Sequence, residues 1–446
     1  MGLIFSLALI VKILICVGIL SLFICVFRPR DKGQPYDDYF FTLNEELKRY
    51  GPGHPALVLD LNRLDQNIQT MKDHIGDKGR YRVVAKSLPS VNLIRRIFEQ
   101  TETNKLMVFH QPFINLLAEE FPRAHMLLGK PMPIKAVRVF YQRLKPNNVF
   151  DPQKQLQWLI DSRDRLEQYL KFAEQNSIQL LVNIEIDVGL HRGGIKNIYE
   201  LNGLLSIIKE RPEHLTFTGF TGYDAHIAKV PPVLSSQKSA FKKVLDIYRT
   251  FINYGRKQYP EMFSRELTFN GAGSMTYQLY QGITDINDIS VGSGLVKPKG
   301  FDLDTLKDHL PALFIATPVL KRSRGLQIPF IEFLSPVWGW LNPNWKNTFF
   351  IYGGYWKANY HQPKGLYKNF IYGYSSNQEI ATASNRTGLK VDDHVFLRPT
   401  QSEAVMLQFG ELIIIQDGRI IDHWPVFNQQ QREPSNVKSI SENLAC

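Results

Sequence analysis

"YRVVAKSLPSVNLIRRIFEQ", residues 81–100, decides how the chain reads. Tyr81 to Val84 is a short strand-like run, and Val83, Val84 and Ala85 mark it as interior. A lysine, Lys86, follows at once. Ser90 then stands where a helix cap belongs, ahead of Val91, Ile94, Ile97 and Phe98 at helical spacing. The unit is a strand, a polar strand end and a helix.

The same unit recurs on both sides. "PALVLDLNRLDQNIQTM" opens with an apolar run, Ala56 to Leu59, and continues with Leu61, Leu64, Ile68 and Met71 at helical spacing. Further strands are predicted at 105–109, 125–129, 136–141, 158–161, 180–187, 217–226, 266–274 and 288–294. Helices are predicted at 111–120, from Leu166 through Phe172, at 197–209 and at 237–257. Strand then helix, repeated seven or eight times, implies parallel strands with helical crossovers. A length of about 250 residues suits a closed (β/α)8 TIM-type barrel better than an open sheet.

Past Phe301 the helical signal stops. "ALFIATPVLKRSR", "NTFFIYGGYWKANY", "HVFLRPTQSEAVML" and "ELIIIQDGRIIDHW" predict strands joined by Asn, Gly and Asp turns, a mostly β C-terminal domain. The expected organisation is an anchor at 1–30, a linker at 31–54, the α/β barrel at 55–300 and the β-rich domain at 301–446.

The anchor is read from "LIFSLALIVKILICVGILSLFICVF", residues 3–27, long enough to cross a bilayer as a helix despite Lys12. "RPRDK", Arg28 to Lys32, follows and places the body on the cytoplasmic side, so a single-pass membrane protein is expected. A cleaved signal peptide is the competing reading, poorly matched by Phe27-Arg28-Pro29. The 446 residues are 44% hydrophobic and 21% charged, which provides for a large core. The net charge of +11 favours anionic surfaces. Nucleic acid is not among them, because the basic residues are scattered and no recognition module is present. The three cysteines, Cys16, Cys25 and Cys446, leave the body without a disulfide framework.

In a β/α barrel the C-terminal strand ends face the active site. Lys86 ends one strand. "EIDVGLHRGG" brings Asp187, His191 and Arg192 to another, and "GYDAHI" brings Tyr223, Asp224 and His226. "NGAGSMTY" is a small-residue turn able to offer backbone N–H groups to an anion. Each has a plain alternative: Lys86 reaching solvent, Asp187 capping a turn, His191 and Arg192 pairing in a loop, His226 as a core histidine. Together they describe an amine, an anion cradle and an arginine on one rim. A desolvated lysine condenses with carbonyls, and a phosphorylated aldehyde would need such a cradle. Pyridoxal phosphate is that molecule.

The ordered set "PALVLDLNRLDQNI", "VVAKS", "VNIEIDVGLHRGG", "GFTGYDAH", "FNGAGSMTY" and "GRIIDHWPV" resembles the alanine-racemase-like, fold type III family of pyridoxal-phosphate enzymes, most closely its D-threonine aldolase / D-serine dehydratase branch. The resemblance implies Lys86 as the Schiff-base lysine. It implies Gly271, Gly273 and Ser274 at the phosphate, and Arg192, Tyr223 and His226 beside ring and substrate, with Tyr223 and His226 catalytic. It also implies a homodimer. The branch carries a metal-binding His-x-Cys or His-x-Asp pair after a proline. Here "RPTQSEAV" puts Gln401 and Glu403 there, hard ligands suited to Mg, Mn or Ca. As alternate residues of a strand they would share a face. Without the metal, α-proton chemistry needs only Lys86 and a second base. Tyr355, Tyr360, His361 and Glu403 are candidates. The expected activity is a lyase of a small, D-configured amino acid. The alternatives are a racemase, a non-catalytic pyridoxal-phosphate homeostasis protein, or a structural protein reusing the barrel.

Overall fold

The computed structural model describes residues 28–76, 78–145, 149–231, 233–264, 266–369 and 371–428. The apolar segment 3–27 lies outside the described residues. Among those described, no helix is long and apolar enough to cross a membrane.

The chain divides into two compact units. The larger holds the described residues of Leu59–Leu313, of Thr400–Ile414 and of 422–428. It contains a closed barrel of eight strands, all neighbours parallel: β2 (Tyr81–Val84), β3 (Lys105–Val108), β4 (His125–Leu128), β5 (Leu156–Ile160), β6 (Leu180–Glu185), β7 (Leu215–Thr221), β8 (Thr268–Gly271) and β9 (Asp288–Val291). Closure comes from β2 pairing with β9, Tyr81 opposite Ile289 and Val83 opposite Val291. The crossover helices follow the apolar spacing. Leu64, Ile68 and Met71 are buried on one face of Leu61–Ile75, and Leu93, Ile94 and Ile97 on one face of Val91–Thr101. Ser90 precedes that second helix but its side chain makes no capping bond.

Two expectations fail. The run 136–141 is a helix, Ile134–Arg143, not a strand. Its β-branched and aromatic residues favour a strand, but Val137 and Phe140 are the residues buried, three apart on one helical face. The opening run, β1 (Ala56–Asp60), is a strand but not a barrel stave. All five of its residues are buried, so no periodicity tells which sheet it joins.

The smaller unit holds the described residues up to Val58, Phe314–Pro399 and Ile415–Ile421. The strands outside the barrel are β10 (Leu313–Arg324), β11 (Asn347–Tyr352), β12 (Ala358–Gln362), β13 (Tyr367–Lys368), β14 (Gln378–Ala383), β15 (His394–Pro399), β16 (Glu411–Gln416) and β17 (Arg419–Pro425). With β1 they form a nine-stranded sheet, ordered β13-β14-β11-β10-β1-β16-β17, in which β15 pairs β10 and β12. Asp417 and Gly418 take positive φ, 51° and 75°, and make the tight turn between β16 and β17. Helical structure does not stop at Phe301, as a short helix runs over Ser335–Leu341.

Inside the barrel, Arg82 Nε and Nη2 donate to the two Asp288 carboxylate oxygens at 2.7 and 2.9 Å. Asn270 Nδ2 donates to Asp288 Oδ1 at 2.6 Å and to Ser290 Oγ at 2.8 Å. This buried polar ladder runs from Arg82 toward the strand ends.

Candidate active site

The C-terminal strand ends enclose a cavity of about 710 Å³, the open space at its mouth included. Val84, Met107 and Phe109 give it an apolar wall; Lys86, Glu185, Arg192, Tyr223, Ser274 and Glu403 give it chemistry. Its apolar wall and few convergent polar groups are those of a small-molecule site.

Lys86 sits in a one-turn helix, Ala85–Ser87, directly after β2. Its Nζ lies 4.7 Å from the centre of the Phe109 ring and 3.9 Å from Glu403 Oε1. That ring has room because residue 129 is glycine, where a Cβ would stand 2.1 Å from Phe109 Cε1. The amine is not sequestered as the sequence suggested: 46% of its side-chain surface is open. Partial burial still pushes its pKa down, helped by Arg192 and Lys130 and opposed by Glu403.

The β6 end supplies two groups. Glu185 is its last residue, and burial, with the charges of Asp161 and Asp187, pushes its carboxyl up to about 7 against the pull of Arg192. Arg192 lies over the Tyr223 ring, 4.7 Å from its centre. Asp187 holds the loop between them, accepting from Gly189 N, His191 N and the His191 ring at 3.0, 2.9 and 2.8 Å. Asp187 and His191 therefore take the plain reading, a turn cap and its ion-pair partner.

After β8 the chain passes through Ala272, at φ 66°, into Gly273 and Ser274. Gly273 makes room for Tyr223, whose Cε2 would lie 2.7 Å from a Cβ there. The loop is pinned by Asp224, which accepts from Thr276 Oγ1 at 2.7 Å and Tyr280 Oη at 2.8 Å. Ser274 Oγ receives two backbone N–H bonds, from Gly292 at 3.1 Å and Gly294 at 2.9 Å. Two backbone N–H groups thus converge on one side-chain oxygen, an arrangement of donors that would also suit an anion.

The cavity gathers Lys86, Arg192, Tyr223, Ser274 and Glu403 but not every expected residue. Gly271 packs behind it, its missing Cβ position 3.0 Å from Ile286 and 3.2 Å from Tyr280. His226 is not in the wall; its Nε2 faces Gly189, and its buried Nδ1 has no hydrogen-bond partner among the described residues. The strand argument for Gln401 and Glu403 is overturned. β15 ends at Pro399, and Glu403 opens a one-turn helix, Glu403–Met406, so the two are not alternate residues of a strand. Among the described residues, no cluster of three or more His, Cys, Asp or Glu is placed to hold a metal ion. Tyr360 gives its hydroxyl to Glu379 Oε1 at 3.0 Å and His361 stacks on Phe314. Glu185, Phe109 and the Gly292–Gly294 turn were not anticipated. Glu185 was legible as the residue two beyond Asn183, on the interior face of one strand.

Residues 59–254 match the alanine racemase, N-terminal domain family. The barrel is alanine-racemase-like. Solved structures similar to the chain include D-threonine aldolase from Filomicrobium marinum, 16% identical with a TM-score of 0.63, covering 84% of this chain and 96% of that one. They also include D-threo-3-hydroxyaspartate dehydratase from Delftia sp. HT23, at 13% and 0.61, covering 84% and 97%. Alanine racemase from Bacillus anthracis with bound L-Ala-P stands at 14% and 0.63, covering 83% and 97%. No curated protein matches by sequence. At these identities the likeness is one of fold, and the alanine-racemase-like barrel must declare its chemistry through its own residues.

Proposed function

We propose that the chain is a pyridoxal-phosphate-dependent enzyme acting at the α-carbon of a small amino acid, with lyase chemistry first and racemisation as the alternative. The observation that carries it is a single cavity lined both by an amine, Lys86 Nζ, and by Ser274 and Gly292, beside which the Gly292 and Gly294 N–H groups converge on the Ser274 hydroxyl. A phosphorylated aldehyde needs both.

The residues fit that group. Ser274, Gly292 and Gly294 would take the phosphate, with Gly273 holding the loop clear of Tyr223, and Lys86 would take the aldehyde carbon. When bound, the cofactor withdraws electrons from the substrate's α-carbon. The chain's own part is proton handling and orientation. Lys86 Nζ, its pKa lowered by burial, would accept or return a proton at the α-carbon. Arg192, held over the Tyr223 ring, fixes that ring and offers its guanidinium to a substrate carboxylate. Glu403 is the second group within reach of Lys86. The neighbours named above, an aldolase, a dehydratase and a racemase, support the class without choosing among them. The anchor at 3–27, a cytoplasmic catalytic unit and a homodimer belong to the same proposal.

The test is direct. Full-length protein is incubated with pyridoxal phosphate, reduced with borohydride and digested. A reduced pyridoxyl group on the Lys86 peptide is expected, and its absence, or its retention elsewhere in Lys86→Ala, sinks the reading. A product screen on D- and L-serine, threonine and alanine, with and without Mn or Mg, then separates lyase from racemase. Adduct without any turnover would leave the homeostasis protein.

A further inference from the structure

A surface of the smaller unit departs from ordinary amphipathic logic. Between β10 and β11 the chain makes an excursion over residues 325–346. It leaves and re-enters the sheet at paired residues, Arg324 opposite Asn347, closed by Gly325 N donating to Lys346 O at 2.8 Å. The helix Ser335–Leu341 within it is inverted. Its small residues, Ser335 and Gly339, are buried. The large apolar residues Val337 and Trp340, three apart on one helical face, are 45% and 52% exposed, and Phe333, in the tight turn Glu332–Leu334 that leads into the helix, is 75% exposed. Phe330, just before them, is 93% exposed. A soluble surface helix turns such a stripe inward.

Two further observations say what covers this face. It is rimmed by cations: Arg28, Arg324 and Lys346 line one groove with Phe333 and Trp340, and the acidic residue in that groove is Glu332. The chain entering from residues 3–27 is tied down at the same place. Asn344 Nδ2 donates to Arg30 O at 2.9 Å, and Lys32 N donates to Asn344 Oδ1 at 2.9 Å. The apolar sequence of 3–27 thus joins the body beside the exposed aromatic stripe.

We propose that Phe330, Phe333, Val337 and Trp340, with Arg28, Arg324 and Lys346, form a second membrane contact that lies in the interface of an anionic bilayer. Aromatic side chains seat at the headgroup level, and basic residues meet anionic lipid around them. This contact is independent of the pyridoxal-phosphate reading. It fixes the body against the bilayer rather than leaving it on a free tether.

The experiment uses tryptophan emission. Residues 1–27 contain no tryptophan, and Trp158 and Trp424 are buried, so quenching by brominated phospholipid reports on the body of the protein. Full-length protein is reconstituted into vesicles of brominated phosphatidylcholine with about 30 mol% phosphatidylserine, an anionic surface of the cytoplasmic kind. A quenched fraction is expected, and it should fall sharply in the Trp338→Phe, Trp340→Phe double variant, which keeps only the half-buried Trp345 and Trp356 beside the buried pair. Phe330→Ser with Phe333→Ser should reduce it while Trp340 remains. It should also shrink as salt rises from about 0.1 M to about 1 M, where the Debye length falls from about 10 Å to about 3 Å. Equal quenching in wild type and both variants overturns the proposal. So does an unchanged quenched fraction combined with a change of oligomeric state in the serine variant, because the face would then be a contact between copies of the chain.

Discussion

Glu403 Oε1 stands 3.9 Å from Lys86 Nζ, although the two are far apart in the chain. Glu403 also lies 3.4 Å from the hydroxyls of Ser293 and Ser402. Burial lowers the amine's pKa and the Glu403 charge works against it. Glu403→Gln should therefore lower that pKa further and raise the unprotonated fraction at neutral pH. The expected result is an increase of a few-fold in the rate at which trinitrobenzene sulfonate or pyridoxal phosphate captures Lys86, with the pH–rate curve moved to lower pH. An unmoved curve would remove Glu403 from the amine's electrostatics.

Gly129 and Phe109 make a steric prediction. In Gly129→Ala the new methyl would fall inside the Phe109 ring, so the ring must leave its place on the cavity wall. Overpacking of this kind costs about 1–3 kcal/mol. The ring's contact with the Lys86 ammonium, about 0.5–1 kcal/mol, is lost as well. Urea unfolding should show the drop, and Phe109→Leu in the same background should recover part of it. A Gly129→Ala protein as stable as wild type would mean the ring has another place to go.

The fold was legible where burial is one-sided and illegible where it is not. Leu64, Ile68 and Met71 announce their helix because one face is dry. Ala56–Asp60 is buried on both faces and does not disclose which sheet it joins. Residues 136–141 are rich in the β-branched and aromatic residues of a strand, and only the packing of Val137 and Phe140 decides for a helix. The inverted helix at Ser335–Leu341 is seven residues long, too short for a period to register. At the site, Lys86, Arg192 and Tyr223 could be read from strand ends. The turn at Ser274 could be read too, but not the Gly292 and Gly294 N–H groups that bond its hydroxyl, because they come from eighteen and twenty residues away. The place of Glu403 beside Lys86 rests on long-range packing that no local pattern records.

Glu185 predicts a pH dependence of stability. Its carboxyl is raised to about 7 in the folded protein, burial being the main cause, against an ordinary value of 4.5. Between those two values the folded state holds a proton that the unfolded state has released. Stability then falls as pH rises through that window. Glu185→Gln should flatten the fall, with a gain on the order of 2 kcal/mol at pH 8 once solvent reaching the cavity is allowed for. Denaturant midpoints from pH 4 to pH 8 measure it. Parallel wild-type and variant profiles would show that Glu185 ionises as it does in water.

Arg82 and Asp288 give the largest expected effect. Burial alone would raise the Asp288 carboxyl, but the Arg82 guanidinium, with Lys105 and Asn270, outweighs it and holds the group below the usual carboxylate range. The depressed folded value means that this stabilisation is present above the ordinary carboxylate pKa, about 3.9, and is lost as pH falls through the folded value. Arg82→Met breaks the buried pair and leaves the carboxylate to Asn270 and to Lys105, 3.5 Å away, a loss of about 3–5 kcal/mol at most. The variant should unfold at markedly lower urea at pH 7, and its deficit should narrow toward pH 3, where Asp288 takes up a proton. Adding Asp288→Asn to Arg82→Met removes the stranded charge and should restore part of the loss at pH 7. A double variant no more stable than the single one would place the cost in lost packing rather than in the unpaired charge.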